Sequence, residues 1–268
     1  MKKVTWLAFS LLLVSFTVPV REKKIWLCGD STIAIKQTTA YPETGWGMPF
    51  VHFWDSTIQV HNLAKNGRST KTFINEGLWQ QVLDGAGEGD FVFIQFGHND
   101  ESVEKQERYT SPEQFKYNLV KFIKEARALK ATPVLFTPVS RRKFNDAGMA
   151  LETHKTYSPL VREVAEAEHV LWIDLDSKSR ALYQEFGKDN SSLLFLQLKA
   201  GEHPNYPEGK IDNTHFVERG ARAVAALAAD PDILASSGQA QNLDTTSLAS
   251  LTAGNVAAMG GLAKLIGE

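Results

Sequence analysis

Short apolar runs alternate with longer amphipathic segments along this chain. The apolar runs cover residues 25–28, 57–63, 91–96, 133–139 and 170–175, and each has the length and composition of a buried strand. Helical patterns cover residues 45–54, 73–83, 112–130, 153–168 and 217–229, and Ser111 is a predicted N-cap for the third of these. Residues 187–211 show no regular pattern and are predicted to be irregular. The alternation predicts an α/β domain with a five-stranded parallel sheet covered by helices on both faces.

The two ends of the chain differ from this central pattern. Lys2 and Lys3 precede an apolar stretch over residues 4–14, which predicts a signal peptide over residues 1–20. We therefore expect an exported protein, periplasmic or extracellular, with no stable membrane span once the signal is removed; an uncleaved membrane anchor is the alternative. The folded domain is predicted over residues 21–235. Residues 236–268 are poor in charge and rich in small residues, which predicts a flexible tail or, alternatively, a short docking helix.

Charge and cysteine content narrow the class of protein. The formal net charge is -2 and no basic stripe runs along the chain, so we expect no nucleic-acid partner. Cys28 is the only cysteine, which excludes an internal disulfide and indicates a small buried residue at a strand end. No set of cysteines and closely spaced histidines has the pattern of a zinc site, so neither a metal nor a cofactor is predicted.

Two short motifs at opposite ends of the predicted domain carry the groups needed for serine acyl transfer. Gly29-Asp30-Ser31-Thr32 directly follows the first predicted strand, and Asp212-Asn213-Thr214-His215 directly precedes the last predicted helix. A serine hydroxyl needs a base within hydrogen-bond reach, and that base needs its tautomer fixed. We predict Ser31 as nucleophile, His215 as base and Asp212 as the carboxylate that orients it. The plainer interpretations are a helix N-cap for Asp212 and a packed surface residue for His215.

Acyl transfer also needs hydrogen-bond donors where the carbonyl oxygen becomes negative. Three candidates follow neighbouring predicted strands: the backbone N–H groups of Ser31 and Gly67, and the side-chain amide of Asn99. In parallel α/β sheets, the carboxyl ends of the strands meet at the edge where ligands bind. We therefore predict an oxyanion hole from these three donors, although Gly67 and Asn99 are also common turn residues.

Taken together, these residues resemble the sequence blocks of the SGNH (GDSL-like) hydrolases. Within that superfamily, the chain resembles the rhamnogalacturonan acetylesterase branch of carbohydrate esterases over about residues 25–229. The motifs that carry this narrower resemblance are Gly29-Asp30-Ser31-Thr32, Thr44-Gly45-Trp46-Gly47, Asn66-Gly67-Arg68-Ser69, Gly97-His98-Asn99-Asp100, Thr137-Pro138-Val139 with Arg141-Arg142, and Asp212-Asn213-Thr214-His215-Phe216. The resemblance implies a flavodoxin-like three-layer α/β/α sandwich. It also implies a metal-independent serine esterase that removes O-acetyl groups from pectic rhamnogalacturonan, an acetylated plant cell-wall polysaccharide, in a bacterium.

Substrate contacts are predicted from chemistry alone. Arg68, Arg141 and Arg142 have guanidinium groups that match galacturonate carboxylates bidentately. Ordinary surface charges and structural ion pairs are the alternatives for all three.

A second set of predicted contacts is aromatic and polar. The segment 201–207 has a mixture that suits a sugar-facing loop, and it contains His203, Asn205 and Tyr206. Trp46 lies between two glycines and is predicted either to line the pocket or to anchor the start of a helix.

Two other functions remain open at this point. The first is another exported esterase of the same fold, acting on acetylated xylan, small acyl esters or lipids. The second is a non-catalytic flavodoxin-like protein whose Gly29–Thr32 turn binds a phosphate or flavin at a helix N-terminus. This second alternative leaves the pairing of Asp212 with His215 without a role.

Overall fold

A parallel five-stranded sheet forms the centre of the molecule, for which a computed structural model describes residues 22–54 and 56–229. The strands are β1 (Lys23–Gly29), β2 (Ile58–Asn62), β3 (Phe91–Gln95), β4 (Thr132–Phe136) and β5 (Leu171–Ile173). Their spatial order is β2-β1-β3-β4-β5, and all neighbours are parallel. This is the flavodoxin-like order, so both the predicted strands and the predicted fold class are confirmed.

Side chains alternate between the two faces of the sheet and form two separate cores. Along β1, Ile25 and Leu27 belong to one core, whereas Trp26 and Cys28 belong to the other. Cys28 is fully buried, as its position at the end of an apolar strand predicts. Burying a large apolar side chain such as that of Ile25 or Leu27 stabilises the fold by about 1.5–3 kcal/mol. The result is a three-layer α/β/α sandwich.

Six helices within the described residues cover the two faces. They are α1 (Thr70–Asn75), α2 (Leu78–Gly85), α3 (Pro112–Ala128), α4 (Tyr157–Ala167), α5 (Leu175–Asn190) and α6 (Glu218–Ala228). Helices α1 to α4 pack on the face that carries Trp26, and α5 and α6 pack on the opposite face. Ser111 caps α3 as predicted, since its hydroxyl accepts a hydrogen bond from the backbone N–H of Gln114.

Two predicted helices differ from the structure, and one observed helix was not predicted. The helix predicted over residues 73–83 is divided into α1 and α2 at Gly77, whose φ of 72° lies in the left-handed region. The helix predicted over residues 45–54 is only a 3₁₀ segment, Pro49–Phe53. The residues before it are held against the turn after β1, since the N–H groups of Trp46 and Gly47 donate to the carbonyls of Thr32 and Ile33. Helix α5 was not predicted at all.

A small antiparallel sheet begins within residues 187–211, which the sequence predicts to be irregular, and its second strand continues beyond them. Its strands are β6 (Phe195–Leu198) and β7 (Lys210–Phe216), with Phe195 opposite Phe216 and Leu198 opposite Lys210. The backbone N–H of Thr44 donates to the carbonyl of Phe216 over 2.8 Å, which joins β7 to the segment that follows β1. Strand β7 therefore carries the Asp-His motif to the carboxyl edge of the main sheet.

The terminal predictions concern segments outside the described residues. The predicted signal peptide, residues 1–20, and the predicted tail, residues 236–268, both fall there. Within residues 22–54 and 56–229, no helix has the length and apolar character needed to cross a membrane.

Candidate active site

Ser31 lies in the tight turn that follows β1. The turn is held by the buried Asp30, whose carboxylate accepts hydrogen bonds from the backbone N–H of Thr32 over 2.9 Å and from the Thr32 hydroxyl over 2.8 Å. Burial raises the pKa of the Asp30 carboxyl, while the two hydrogen bonds from Thr32 oppose that rise. This turn fixes the direction of the Ser31 side chain at the carboxyl edge of the sheet.

His215 bridges the serine and the aspartate. Its Nε2 lies 2.8 Å from Oγ of Ser31, and its Nδ1 lies 2.8 Å from Oδ2 of Asp212. The other carboxylate oxygen, Oδ1, accepts the backbone N–H groups of Thr214 and His215 over 2.8 and 2.9 Å. Residues that are far apart in the sequence thus meet in the arrangement of a Ser-His-Asp triad.

The charge of the Asp212 carboxylate is favoured by its surroundings. Partial burial alone would raise its pKa, but the hydrogen bond from His215, the charge that His215 carries when protonated and the two backbone N–H groups outweigh burial. The pKa of Asp212 therefore lies well below its ordinary value. An ionised Asp212 accepts the Nδ1–H of His215 and leaves Nε2 free to accept the proton of Ser31.

Gly67 and Asn99 reach the same cavity as Ser31 and His215. The cavity has a volume of about 470 Å³, and all four residues line it. Gly67 has a φ of 79°, a conformation that glycine adopts readily. In the described part of the chain, the backbone N–H groups of Ser31 and Gly67 have no hydrogen-bond acceptor. One N–H of the Asn99 amide donates to the carbonyl of Arg68 over 2.9 Å, and its second N–H is available to a ligand.

Asp100 connects the loops that carry these donors. Its Oδ1 accepts the N–H of Thr70 over 2.9 Å and the Thr70 hydroxyl over 2.6 Å, and its Oδ2 accepts the N–H of Gly97 over 3.2 Å. Burial raises the pKa of the Asp100 carboxyl from 3.8 to about 7, although the hydrogen bonds from Thr70 oppose it. The structure thus places Asp100 between the start of α1 and the loop after β3.

Comparison with known proteins agrees with this geometry. Residues 27–223 match the GDSL-like lipase/acylhydrolase family. The chain belongs to this family. It is therefore a carboxylic ester hydrolase, which agrees with the resemblance found in the sequence motifs and disfavours the non-catalytic binding protein.

Relatives of this hydrolase include two enzymes of Bacillus subtilis. It is 38% identical over 207 residues to rhamnogalacturonan acetylesterase RhgT, a match that covers 77% of this chain and 88% of RhgT. It is 37% identical over 206 residues to the probable rhamnogalacturonan acetylesterase YesY, covering 76% and 90% of the two chains. The crystal structure of YxiM from the same organism superposes with a TM-score of 0.69 at 28% identity, covering 82% of this chain and 58% of YxiM.

A buried lysine that the sequence analysis did not select lies behind the active site of the hydrolase. Lys36 is 4% exposed, and its Nζ donates to the carbonyl of Ser31 over 2.6 Å and to Oδ1 of Asn66 over 2.8 Å. The same Nζ forms an ion pair with Glu43 over 2.7 Å. Burial lowers the pKa of Lys36, while the Glu43 carboxylate opposes that change. Lys36 thereby holds the nucleophile turn against the loop that presents Gly67.

Of the three arginines predicted to bind substrate, only Arg141 lines the active-site cavity of the hydrolase. Arg141 donates to the hydroxyl of Thr214 over 2.8 Å and lies 3.3 Å from Glu101. Arg68 does not line this cavity, and its Nε and Nη2 both donate to Glu76.

Arg142 also lies outside the active-site cavity. Its guanidinium donates to Ser191, Asn213 and the carbonyl of Lys188, so it holds α5 against β7.

The residues predicted as aromatic and polar contacts also lie outside the active-site cavity. Trp46 is fully buried, and its indole N–H donates to Gln95 over 3.1 Å, so it belongs to the core. Asn205 donates to the carbonyls of Thr38 and Tyr41, and Tyr206 donates to that of Ala40. His203 lines a separate groove beside Tyr41 and His52. The loop 201–209 thus packs on the 38–41 turn, and its three predicted contacts do not line the catalytic cavity.

The residues that line the cavity include several to which the sequence analysis assigned no role, among them Arg108 and His98. Arg108 comes from the loop between β3 and α3, and His98 comes from the turn after β3. The His98 ring is buried and packs edge-on against His154, with ring centroids 4.3 Å apart. Burial, with the nearby His154 and Arg141, lowers the pKa of His98 well below its ordinary value. Across residues 22–54 and 56–229, no group of three or more metal-ligating side chains is suitably placed to hold a metal ion.

Proposed function

We propose that this hydrolase removes O-acetyl groups from pectic rhamnogalacturonan through a Ser31 acyl-enzyme. The observation that carries the chemistry is the position of His215, 2.8 Å from both Ser31 Oγ and Asp212 Oδ2. The substrate is supported by the two relatives named as rhamnogalacturonan acetylesterases, which match about three quarters of the chain.

The first half of the proposed reaction forms an acetyl-enzyme. Ser31 Oγ attacks the acetyl carbonyl carbon while its proton passes to Nε2 of His215, and Asp212 stabilises the imidazolium. The carbonyl oxygen becomes an oxyanion that accepts hydrogen bonds from the N–H groups of Ser31 and Gly67 and from the Asn99 amide. Collapse of this intermediate breaks the bond to the sugar oxygen, which takes the proton from His215.

The second half restores the enzyme. A water molecule transfers a proton to His215 and attacks the acetyl carbonyl, and the second oxyanion is held by the same donors. Its collapse releases acetic acid and returns the proton to Ser31. Every proton transfer in this cycle uses Nε2 of His215, which explains why a fixed tautomer is essential.

The shape and polarity of the cavity favour a saccharide over a long acyl chain. Its walls include Glu43, Asn66 and Lys105 in addition to the catalytic residues. A neighbouring cavity of about 760 Å³ shares Ser102, Glu104 and Arg141 with it, so the site continues along the surface. A polar cleft of this extent suits several sugar units, whereas a long acyl chain needs an apolar surface.

The decisive experiment measures acetate released from acetylated rhamnogalacturonan, with acetylated xylan as the comparison substrate. We expect selective release from rhamnogalacturonan and its loss in Ser31→Ala, which removes the nucleophile and leaves the fold intact. Release from xylan alone would retain the mechanism and replace the substrate. An active Ser31→Ala variant would exclude Ser31 as the nucleophile.

A further inference from the structure

The active-site cavity has one guanidinium that the protein itself does not neutralise. The charged residues that line the cavity are Glu43, Glu104, Lys105, Arg108 and Arg141. Glu43 is paired with Lys36, and Arg141 lies 3.3 Å from Glu101. Throughout the described ranges of the chain, no carboxylate lies within ion-pair distance of Arg108.

Arg108 is held next to the oxyanion hole. Its Nη1 is the nearest atom to the space that a Cβ on Gly67 would occupy, at 3.4 Å. Its backbone is anchored at both ends, since its N–H donates to the carbonyl of Lys105 and its own carbonyl accepts the hydroxyl of Thr110. The backbone of Arg108 is thereby fixed, with its guanidinium beside Gly67.

The side chain of Arg108 is also short of hydrogen-bond acceptors. Its Nε is buried and has no partner within the described part of the molecule. A buried donor without an acceptor is unfavourable by about 1–3 kcal/mol, so such groups normally have a partner or await a ligand. The arginine on the preceding loop, Arg68, shows the ordinary alternative, with two nitrogens on Glu76.

We propose that Arg108 binds the carboxylate of a uronic acid unit in the substrate, adjacent to the acetylated hydroxyl. The planar guanidinium presents paired donors that match a carboxylate. Its position beside Gly67 requires that the carboxylate lie close to the reacting ester, on the same sugar or the next one. Arg108 then reduces the repulsion between that carboxylate and the developing oxyanion. This assignment rests on the proposed function, since it requires an acidic saccharide as substrate.

The test compares two forms of one acetylated, uronate-containing oligosaccharide, with the carboxyl group either free or methyl-esterified. The readout is the ratio of kcat/KM for the free form to that for the methyl ester. A charge-assisted hydrogen bond of this kind predicts a ratio of about ten to thirty for the unchanged enzyme. In Arg108→Gln the ratio falls to near unity. In Arg108→Lys, which keeps the positive charge but lacks the paired donors of the guanidinium, the ratio is intermediate.

Arg68→Gln is the matched control, because it removes a guanidinium from the neighbouring loop that is already paired with Glu76. We expect this variant to keep the ratio of the unchanged enzyme. Thermal unfolding of all variants confirms that they are folded.

Each contrary result has a distinct meaning. An unchanged enzyme that deacetylates both forms equally well, or an Arg108→Gln variant that keeps the preference, overturns the assignment while the proposed function stands. An equal fall in kcat/KM on both forms would indicate that Arg108 stabilises the oxyanion instead of the substrate carboxylate. This result also overturns the assignment. No acetate release from either form, with release from acetylated xylan, overturns the proposed substrate together with this inference.

Discussion

Replacing Asp212 by asparagine tests how the tautomer of His215 is set. In the native site, Oδ1 of Asp212 accepts two backbone N–H groups, and Oδ2 accepts His215 Nδ1. An asparagine has only one oxygen. If that oxygen faces the backbone it keeps two hydrogen bonds, whereas the flipped amide would direct its NH₂ group at two N–H donors. The first orientation is favoured by about 2 kcal/mol, counting about 1 kcal/mol for each hydrogen bond.

The favoured orientation turns the NH₂ group of Asn toward Nδ1 of His215. Nδ1 must then accept a hydrogen bond, so the ring proton moves to Nε2 and His215 cannot take the proton of Ser31. The imidazolium also loses its negative partner. We expect kcat for 4-nitrophenyl acetate to fall by about 10⁴, equivalent to about 5.5 kcal/mol in the activation barrier, without loss of the fold.

Two measurements check this expectation. Steady-state kinetics give the fall in kcat, and nitrogen-15 NMR of the histidine rings shows which nitrogen of His215 carries the proton. The native enzyme should carry it on Nδ1, and Asp212→Asn should carry it on Nε2. A folded variant that keeps the native tautomer, or that loses less than about tenfold in kcat, would refute the reasoning, since that loss is only about 1.4 kcal/mol.

Two further predictions concern the buried groups around the site. Lys36→Met leaves Glu43 without its cation, and breaking a buried pair from one side typically destabilises a protein by about 3–5 kcal/mol. Urea unfolding should show this loss and its partial recovery in Lys36→Met/Glu43→Gln; equal stability of all three proteins would contradict the role given to Lys36. Because burial raises the pKa of Asp100 from 3.8 to about 7, its stabilising contribution is complete below pH 3.8 and is lost as the pH rises through about 7. The unfolding free energy of Asp100→Asn should therefore fall less over this range than that of the unchanged protein, and parallel pH profiles would show that Asp100 does not titrate there.

The sheet could be predicted because its strands are buried on both faces. All five residues of β3 are buried, so the strand is an uninterrupted apolar run that stands out from the polar segments around it. Helix α5 and strand β7 lack such a pattern. Strand β7 has only Phe216 fully buried, and its remaining residues are half-buried or exposed. Such elements depend on tertiary packing, which local sequence does not report.

The same distinction applies to the site. Ser31, Gly67 and Asn99 follow strands, and the geometry of a parallel sheet brings strand ends together whatever the details of packing. Lys36 and Arg108 lie in irregular segments, and their positions depend on contacts between loops that are distant in sequence. The position of Trp46 could not be predicted, because an aromatic residue between two glycines has the same local sequence pattern in a pocket wall as in a core.

The proposed nucleophile and the proposed base belong to different sheets. Ser31 follows β1 of the five-stranded sheet, whereas Asp212 and His215 lie on β7 of the two-stranded sheet. Strand β7 is joined to the body of the protein by the burial of Phe216 and by its backbone bond to Thr44. Small peripheral units of this kind open at a lower free energy than the central core. Local opening of the hairpin therefore separates His215 from Ser31 while the main sheet stays folded. Inactivation and global unfolding are then distinct events, and the first of them is governed by the burial of Phe216 together with the hydrogen bonds that Arg141 and Arg142 form with β7.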